Sequence, residues 1–560
     1  MTLRLQDIAG RTVGEVLSEN RARYPDDPAM LWHGSVTTWS GLDDVVSRLA
    51  AGLHGLGVRR GDRVAIWLAN CPELVHAYFA AARIGAVAVP LNPALTAHEA
   101  TMLLADCAAV AVLLDDRHTE AARTLRAAGD VPSLRHVVQV GRASPAADEC
   151  LLLADLVAAA RPGAEAPSVA FPDDPVVIYY TSGTTGRPKG AVHTHFSVLA
   201  TALSAGRMME LSRRDRVLLC TPLYHSAAMH TFLMAHALLG ASWVVTPGFD
   251  PVQVLDRITE DRVTVYFGVV PMLIATLAVP DLAGRDLSSL RILFTGASPV
   301  PQALKQRCIE AFPGVDLIDG YGCTESGPAG TCLHARDALE RPGSVGTPWP
   351  YLQVAVLDAV TGEPVGPETV GEVALRGPTE MLGYHNLPEE TAAAFAGGWL
   401  HTGDLGSLDR DGFLSVTGRV KDMLIRGGVN VYPRETEEVL YTHPAVAECA
   451  VFGVPDETMG EEVMACVTLR EGSSVTPEEL LAHLSDRLAP HKRPCYVRLL
   501  PELPHNATGK VLKFRLQETY AEVGTRGPRL RRRTSTDGQA SDQRPGSGLP
   551  GDQPARQPQA

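Results

Sequence analysis

Helical stretches alternate with short apolar strands between about Ser47 and Asp116 of this chain. The same alternation recurs further along, in the segments RVLLCTPL, SWVVTP, VTVYFGVVP and RILFTGA. Short apolar strands separated by helices are typical of a parallel sheet with helices packed on its faces. The sequence therefore predicts an α/β fold built from helix-flanked sheets.

Two later regions have a different pattern. Residues from about Gly346 to Leu414 are strand-rich, with turns at LDAVTGEPVG and LDRDGF, which indicates a β-rich subdomain. From Arg419 to about Leu516 strands and helices alternate over a length that suits a small α+β domain. We therefore predict a large domain over residues 1–418 and a small C-terminal domain over residues 419–524.

Composition adds two expectations about the chain. The last residues, 525–560, are poor in large apolar side chains and rich in Arg, Gly, Pro, Gln and Ser, so we expect a disordered tail. The longest apolar stretch, residues 229–245, is interrupted by His230, His236 and Ser242. It therefore predicts a buried helix and strand rather than a membrane span.

The net charge of the chain limits its partners. With 64 acidic and 50 basic residues, the formal net charge of -14 argues against a nucleic-acid-binding surface, which needs an excess of lysine and arginine. The ten cysteines include no CxxC pair, so neither a zinc site nor a disulfide framework is indicated. Charges interrupt the N-terminal segment MTLRLQDIAGRT, where a signal peptide would be apolar. We expect a cytoplasmic protein without a transmembrane segment.

A glycine-rich loop, TSGTTGRPKG, follows an apolar strand. Its glycines allow close backbone approach, so N–H groups and hydroxyl side chains can converge on an anion, to which Lys189 adds a cation. Pro188 and Gly190 flank the lysine, which excludes a Walker loop, since that pattern needs Gly and Ser or Thr in those places. The residues predicted to contact phosphate are Thr181, Ser182, Gly183, Thr184, Thr185, Gly186 and Lys189.

A second polar segment, DGYGCTE, extends from Asp319 to Glu325. It offers an aromatic face on which a purine can stack, a hydroxyl for a phosphate, and a carboxylate that suits Mg²⁺ as a hard oxygen ligand. Asp404, in the turn HTGD, can accept hydrogen bonds from both hydroxyls of a ribose. Taken alone, each segment is also compatible with an ordinary polar turn.

The motifs together match a family pattern. The loop TSGTTGRPKG resembles the signature loop of the adenylate-forming superfamily of acyl-CoA synthetases, firefly luciferase and nonribosomal peptide adenylation domains, and five further segments follow in the family's order. The resemblance extends from about Val13 to Leu516 and is closest in character to fatty-acyl and aryl-CoA ligases. It implies a ligase that uses ATP and Mg²⁺ to activate an organic carboxylate as an acyl-AMP, and then passes the acyl group to coenzyme A.

The resemblance also implies roles for individual residues. It places Tyr321 against adenine, Thr324 at the α-phosphate and Glu325 on Mg²⁺, with Thr181 as a second candidate metal ligand. The other residues implied to contact the nucleotide are Asp404 and Arg419 at the ribose, and Gly296, Ala297, Ser298, Asp319, Gly320 and Gly322 along the strand ends.

The resemblance assigns the chemical step to Lys510, in PHNATGKVLK, whose ammonium can bridge the attacking carboxylate and the α-phosphate as negative charge redistributes. In the family, the small domain rotates between two half-reactions about a hinge that matches Lys421. Gly427 and Gly428 are then implied to border the path of the pantetheine. His225 is either a buried core histidine or, as in relatives, a residue that shapes the acyl pocket.

Three alternatives differ in substrate or activity. A peptide-synthetase adenylation domain carries an Asp for the substrate ammonium where this chain has Tyr224 and His225, so an α-amino acid is disfavoured. A ligase that loads an acyl carrier protein stays open, although the Gly-Gly-Val-Asn stretch is more similar to that of coenzyme A users. A nucleotide-binding regulator without catalysis is disfavoured because Lys510, Glu325 and Asp404 are all present.

The segments between the nucleotide motifs indicate which acid is activated. Small and apolar side chains dominate there, and no Lys, Arg or Asp occurs to pair with a charged group on the substrate. The residues expected to line the acyl pocket are Ala227, Ala228, Met229, Val269, Val270, Ala297 and Cys323. We expect an uncharged hydrophobic acid, with a medium- or long-chain fatty acid favoured and an aryl acid as the alternative.

Overall fold

The structure, a computed structural model, describes residues 3–118, 120–121, 129–141, 150–161, 169–181, 188–420, 422–427, 429–456, 458–485, 487–505 and 511–521. Within these ranges the strands form three sheets, which we call the long sheet, the short sheet and the C-terminal sheet.

The strands are numbered in chain order. Those up to residue 194 are β1 (Pro28–Trp32), β2 (Ser35–Thr38), β3 (Arg63–Trp67), β4 (Val87–Pro90), β5 (Ala111–Leu114), β6 (His136–Gln139), β7 (Leu151–Leu152), β8 (Pro175–Thr181) and β9 (Lys189–Thr194). Those from residue 216 to 348 are β10 (Arg216–Leu219), β11 (Ser242–Val245), β12 (Val265–Phe267), β13 (Ile292–Gly296), β14 (Asp316–Gly322), β15 (Gly330–Leu333) and β16 (Ser344–Pro348). The later ones are β17 (Gln353–Leu357), β18 (Gly371–Arg376), β19 (Gly383–Tyr384), β20 (Leu400–Leu408), β21 (Leu414–Arg419), β22 (Leu424–Arg426), β23 (Val429–Val431), β24 (Val446–Asp456), β25 (Gly460–Leu469) and β26 (Tyr496–Leu499).

The described α-helices are also numbered in chain order. They are α1 (Leu5–Ile8), α2 (Val16–Arg23), α3 (Trp39–Gly55), α4 (Pro72–Arg83), α5 (Ala97–Asp106), α6 (Leu153–Ala159), α7 (His195–Met208), α8 (Ala235–Leu239), α9 (Pro251–Glu260), α10 (Val270–Leu277), α11 (Gln302–Ala311), α12 (Ala335–Ala338), α13 (Pro388–Ala394), α14 (Pro433–Tyr441), α15 (Pro477–Ser485) and α16 (Lys513–Thr519).

The long sheet has the strand order β17-β18-β20-β21-β16-β15-β14-β13-β12-β10-β11-β1-β2. Its neighbours from β14 through β13, β12, β10 and β11 to β1 are parallel, whereas those from β14 to β17 are antiparallel. The short sheet has the order β19-β9-β8-β4-β3-β5-β6-β7, and its strands from β8 to β7 are parallel. Both the parallel α/β pattern and the β-rich region predicted from the sequence are confirmed.

The long and short sheets share one apolar core. Ile66 of β3 and Val217 of β10 belong to the same buried cluster, together with residues of α3, α4 and α7. The indole ring of Trp243 lies edge-on to that of Trp39, with 5.4 Å between the ring centroids, and α7 is buried along nearly its whole length. Burying apolar area of this kind, at about 25 cal/mol per Å², is the main stabilising contribution that holds the two sheets together.

The apolar stretch over residues 229–245 forms a buried helix and a buried strand, as predicted. It begins within a π-helix at Ala227–Met234, continues through α8 and ends in β11. Its polar members His230, His236 and Ser242 are buried with the rest. In the part of the chain that the structure describes, no helix is long and apolar enough to cross a membrane.

The C-terminal sheet has its own core. Strands β22, β25 and β24 pair antiparallel, β26 adds parallel to β25, and Leu440 of α14 and Leu480 of α15 pack into an apolar cluster with them. The buried Arg426 guanidinium donates two hydrogen bonds, 2.7 and 2.8 Å long, to the carboxylate of Glu462.

A large domain of helix-flanked sheets with a β-rich part, followed by a small α+β domain, confirms the predicted fold class. The domain boundaries, residues 1–418 and 419–524, stay predictions. The tail predicted over residues 525–560 lies outside the described residues.

Gly346, in β16, provides a test of the β-rich part of the long sheet. Its φ is +85°, and a Cβ there would lie 1.8 Å from the carbonyl oxygen of Cys332 in β15. Gly412, with a φ of +83°, has nothing within 4 Å of such a Cβ. Gly412→Ala should therefore cost only the backbone strain, about 1 kcal/mol. Gly346→Ala must also push two strands apart, so it should destabilise the protein by at least about 2 kcal/mol more.

Scanning calorimetry of both variants and the wild type checks this difference. Both glycines lie in the same β-rich part, so the same unfolding transition should respond. Equal shifts of its midpoint in the two variants would contradict the close contact between β15 and β16.

Candidate active site

Parallel strands bring two of the predicted nucleotide segments, residues 296–298 and 319–325, to one edge of the long sheet. Because β10, β12, β13 and β14 lie side by side and parallel, the residues that follow them emerge together at their carboxyl ends. Gly296, the last residue of β13, pairs with Gly320 of β14, and a Cβ on Gly296 would lie only 2.2 Å from the carbonyl oxygen of Gly320. This close approach requires glycine, and it leaves Ala297 and Ser298 exposed directly beyond the strand.

Asp319, on β14, forms a buried ion pair. Its carboxylate forms a 2.7 Å ion pair with the ammonium of Lys305 on α11, and both side chains are almost fully buried. Burial raises the pKa of Asp319, while the charge of Lys305 acts in the opposite direction. The pair stabilises the backbone that leads into Gly320 and Tyr321. Sequence reasoning missed Lys305, and a direct contact of Asp319 with a nucleotide stays a prediction.

Three predicted residues meet above the pair. The Tyr321 hydroxyl donates a 2.8 Å hydrogen bond to Asp404, and the Arg419 guanidinium lies 3.1 Å from the other carboxylate oxygen of Asp404. Asp404 and Arg419 are direct partners across β20 and β21. Burial raises the pKa of Tyr321 well above its usual range, and the negative charge of Asp404 adds to the shift. The aromatic ring and the carboxylate predicted for adenine and ribose are therefore adjacent.

Glu372, on β18, fixes the turn that carries Asp404. Its carboxylate accepts hydrogen bonds from the backbone N–H of Gly403, at 3.0 Å, and from the imidazole of His401, at 2.9 Å. The Thr402 hydroxyl adds a 2.6 Å hydrogen bond to the carbonyl of Val373 on the same strand. Glu372 was not predicted from the sequence, because its only local signal is one acidic residue in the apolar strand GEVALR.

The predicted metal ligands also lie together. The hydroxyl of Thr181, at the end of β8, is 3.5 Å from a carboxylate oxygen of Glu325. The hydroxyl of Tyr384 donates to the same oxygen, at 3.0 Å. In the described ranges no three His, Cys, Asp or Glu side chains are grouped to hold a metal ion. One carboxylate and one hydroxyl still suit Mg²⁺, which usually takes one or two protein ligands and completes its shell with phosphates and water.

His193, on β9, fixes the backbone of Thr324, which precedes Glu325. Its Nε2 donates a 2.9 Å hydrogen bond to the carbonyl of Thr324, while the hydroxyl of Thr324 lies 3.4 Å from that of Ser226. Burial lowers the pKa of His193 to about 4, although this hydrogen bond opposes the shift. His193 is therefore neutral near pH 7. Sequence reasoning missed it because 131 residues separate it from Thr324.

Three phenylalanine rings pack together in or next to the predicted acyl segments. The rings of Phe232 and Phe267 are stacked, with centroids 4.7 Å apart, and Phe294 meets both edge-on. Ala228 and Met229 are buried on the same π-helix as Phe232. The remaining predicted members are only partly buried or exposed, namely Ala227, Val269, Val270, Ala297 and Cys323.

His225 is partly buried, directly before the π-helix that carries Ala228 and Met229. Burial lowers its pKa to about 4, and its Nε2 has no hydrogen-bond partner among the described residues. A buried polar atom without a partner is costly, so a substrate or a water molecule is expected to meet it. Its Nε2 is therefore not satisfied by the described residues, and a role in the acyl pocket stays a prediction.

Lys189 and Gly427 are described by the structure, whereas other predicted site residues fall outside the described ranges. Lys189, the end of the phosphate loop, is described, and its ammonium lies over the ring of Tyr384, 5.1 Å from the centroid. Gly427 has a φ of +58° and packs against Met459, which would clash with a Cβ at 2.6 Å. The residues that lie outside are Ser182, Gly183, Thr184, Thr185, Gly186, Lys421, Gly428 and Lys510.

Family models match most of the chain. The model for AMP-binding enzymes matches residues 17–385, and that for the AMP-binding enzyme C-terminal domain matches residues 435–510. The chain therefore belongs to the family of AMP-binding enzymes, and the family and enzyme class predicted from the sequence are confirmed.

Relatives within this family are acyl- and aryl-CoA ligases. The feruloyl-CoA synthase of Amycolatopsis sp is 38% identical over 501 residues, which cover 89% of this chain and 97% of the relative. The long-chain-fatty-acid–CoA ligase of Bacillus subtilis (strain 168) is 34% identical over 539 residues, which cover 92% and 96%. Among solved structures, the anthranilate CoA ligase AuaEII in complex with anthranoyl-AMP matches with a TM-score of 0.84 and 30% identity, covering 92% of this chain and 99% of that one.

The depressed pKa of His193 predicts a pH dependence of stability. An unfolded histidine titrates near pH 6.5, whereas burial holds the pKa of folded His193 at about 4. Between these values the unfolded chain binds more protons, so His193 makes the folded state less stable as the pH falls, by up to about 1.4 kcal/mol per pH unit. In His193→Gln, whose amide can still donate to Thr324, this part of the slope should vanish.

Urea denaturation between about pH 4.5 and 6.5 measures the slope. His98 is exposed, and His98→Gln is the control that should keep the wild-type slope. A wild-type slope in His193→Gln as well would show that His193 is not held neutral in the folded protein.

Proposed function

We propose that this protein is an AMP-forming acid–CoA ligase, which activates a hydrophobic carboxylic acid with ATP and transfers the acyl group to coenzyme A. The observation that carries the proposal is the meeting of Tyr321, Asp404 and Arg419 at the edge of the long sheet. An aromatic ring, a carboxylate and a guanidinium in direct contact suit the base and the ribose of one nucleotide. The similarity to CoA ligases along nearly the whole chain supports the same reaction.

In the first half-reaction, a carboxylate oxygen of the acid attacks the α-phosphorus of ATP, and the bond between that phosphorus and the bridging oxygen breaks to release pyrophosphate. Thr324 is proposed to donate a hydrogen bond to the α-phosphate from a backbone that His193 fixes. Lys510 is proposed to contact both the attacking carboxylate and the α-phosphate. Fixed charges placed where negative charge develops lower the barrier without reorganising during the step.

Glu325 and Thr181 are the residues proposed to hold Mg²⁺. Their oxygen atoms lie 3.5 Å apart, next to the phosphate loop. When bound, the ion would supply positive charge that offsets the negative charge of the phosphates.

In the second half-reaction, the thiolate of coenzyme A attacks the carbonyl carbon of the acyl-AMP, and the bond from that carbon to the phosphate oxygen breaks to release AMP. Activation is needed because a free carboxylate repels a thiolate and has no adequate leaving group. Gly427 is proposed to border the pantetheine path, and rotation about Lys421 is proposed to exchange Lys510 for coenzyme A.

The acid is proposed to be uncharged and hydrophobic, with a medium- or long-chain fatty acid favoured. The stacked rings of Phe232 and Phe267 and the small side chains of Ala227 and Ala228 support an apolar pocket. An aryl acid is the second candidate. The feruloyl-CoA synthase relative favours it, and so does the enclosed His225 Nε2, which a phenol hydroxyl could meet.

Lys510→Ala tests the division between the half-reactions. Carboxylate-dependent pyrophosphate release should fall by roughly 100-fold to 1000-fold, because one charge contact at the reacting phosphate is lost. Conversion of supplied acyl-AMP and coenzyme A to thioester should persist. Lys513 forms a 2.7 Å ion pair with Glu437, so Lys513→Ala is the control for loss of a nearby cation. Equal loss of both half-reactions in Lys510→Ala would refute its assignment to adenylation.

A panel of acids tests the pocket. We expect kcat/KM to rise with chain length among saturated acids, by about 0.8 kcal/mol of binding per buried methylene, until the pocket is filled. Benzoate, cinnamate, acetate and succinate are measured alongside, each with and without coenzyme A. Higher kcat/KM for cinnamate than for any fatty acid would favour the aryl alternative. A preference for acetate or succinate would contradict the apolar pocket but not adenylation.

A further inference from the structure

Tyr384 lies between two oppositely charged residues of the proposed ATP site. Its hydroxyl donates a 3.0 Å hydrogen bond to the Oε1 atom of Glu325, and the ammonium of Lys189 lies over its ring face, 5.1 Å from the centroid. The Oε1 atom that it contacts is also the one nearest to the Thr181 hydroxyl, at 3.5 Å. Tyr384 thus contacts both the carboxylate and the cation.

The backbone around Tyr384 is fixed on three sides. It forms strand β19, which pairs antiparallel with β9, and the N–H groups of Leu382 and His385 each donate a 2.7 Å hydrogen bond to β9. Its own N–H donates to the Thr391 hydroxyl, at 2.9 Å. The N–H of Met381 donates to the backbone carbonyl of Glu325, at 2.8 Å. Tyr384 is therefore tied to the main chain of Glu325 as well as to its carboxylate.

Tyr384 contacts two opposite charges that do not pair with each other in the structure. Lys189 and Glu325 are both described, and the structure shows no ion pair between them. A lysine ammonium on a flexible stem readily pairs with a carboxylate that it can reach, whereas an aromatic face offers it a weaker cation–π contact. A direct ion pair would occupy the carboxylate oxygens that a Mg²⁺ ion needs.

We propose that Tyr384 is a positioning residue for Glu325. Its hydroxyl orients Oε1 towards Thr181, and its ring keeps Lys189 away from that carboxylate, so that the site stays open to a divalent cation bound with ATP. This inference rests on the proposed function. Hydrogen-bonded partners that orient a metal ligand commonly change metal affinity by about 10-fold to 100-fold when they are removed.

Two substitutions separate the two parts of this role. Tyr384→Phe removes the hydroxyl and keeps the ring under Lys189, whereas Tyr384→Leu removes both. The full-length protein is loaded with the α,β-methylene analogue of ATP, which cannot be cleaved at the reacting bond. Mn²⁺ binding to this complex is then measured by electron paramagnetic resonance. We expect Tyr384→Phe to weaken Mn²⁺ binding about 10-fold, and Tyr384→Leu to weaken it further because Lys189 can then pair with Glu325.

Tyr180 provides the matched control. Its hydroxyl likewise donates to a carboxylate, that of Asp106, but this pair lies on the other side of β8, against a different apolar cluster. Tyr180→Phe should therefore bind Mn²⁺ as the wild type does. In addition, Tyr384→Phe should have little further effect when it is combined with Glu325→Gln, because the carboxylate that it orients is already gone.

Wild-type Mn²⁺ affinity in Tyr384→Phe would overturn the inference, as would an undiminished loss in the Glu325→Gln background. Failure of the proposed function has a different signature. In that case the wild type itself would show no carboxylate-dependent exchange between pyrophosphate and ATP, whereas failure of the inference leaves that exchange intact in the wild type and in Tyr384→Phe.

Discussion

The contact between β13 and β14 is the constraint on which the candidate site depends. Gly296 and Gly320 approach so closely that a Cβ on Gly296 would lie 2.2 Å from the facing carbonyl oxygen. The two strands are parallel and in register from Ile292 and Asp316 up to this pair. The proposed nucleotide segments at residues 296–298 and 319–325 lie at or beyond the ends of these two strands, and Asp404 and Arg419 lie on strands beyond β14. The phosphate loop instead lies between β8 and β9 of the short sheet.

The motifs could be predicted from their local residue types, whereas the residues that support them are brought near only by tertiary structure. The loop ending at Lys189 and the segment ending at Glu325 were predicted because glycine, hydroxyl and carboxylate groups are concentrated over a few positions, and a family resemblance then gave them roles. Tyr384 lies 59 residues from Glu325, and no local pattern in MLGYHN indicates that strand β19 would join β9. The fold class was predictable for a related reason, since helix and strand periodicities are local properties of the sequence.

Burial accounts for the other residues that the sequence did not indicate. Lys305 and His193 are polar side chains whose sequence neighbourhoods suggest an exposed helix position and an ordinary strand position. In the structure both are enclosed, and each contacts a segment of the candidate site. Taking a charged lysine out of water costs several kcal/mol unless a partner compensates. Lys305 has such a partner in Asp319, and His193 bonds to the backbone of Thr324. Both partners belong to the segment that is proposed to hold the nucleotide.

The long sheet is curved between β14 and β20. Strands β14 and β20 are four strand spacings apart in the sheet order, which would separate them by about 19 Å if the sheet were flat. The Tyr321 hydroxyl nevertheless reaches Asp404 at 2.8 Å. The sheet must therefore bend between them, and the pairing on this path is irregular between Ser344 and Gly346 and between Leu405 and Gly406. Such bulges bend and twist a sheet, so the separation of Tyr321 and Asp404 depends on backbone curvature rather than on the length of a loop.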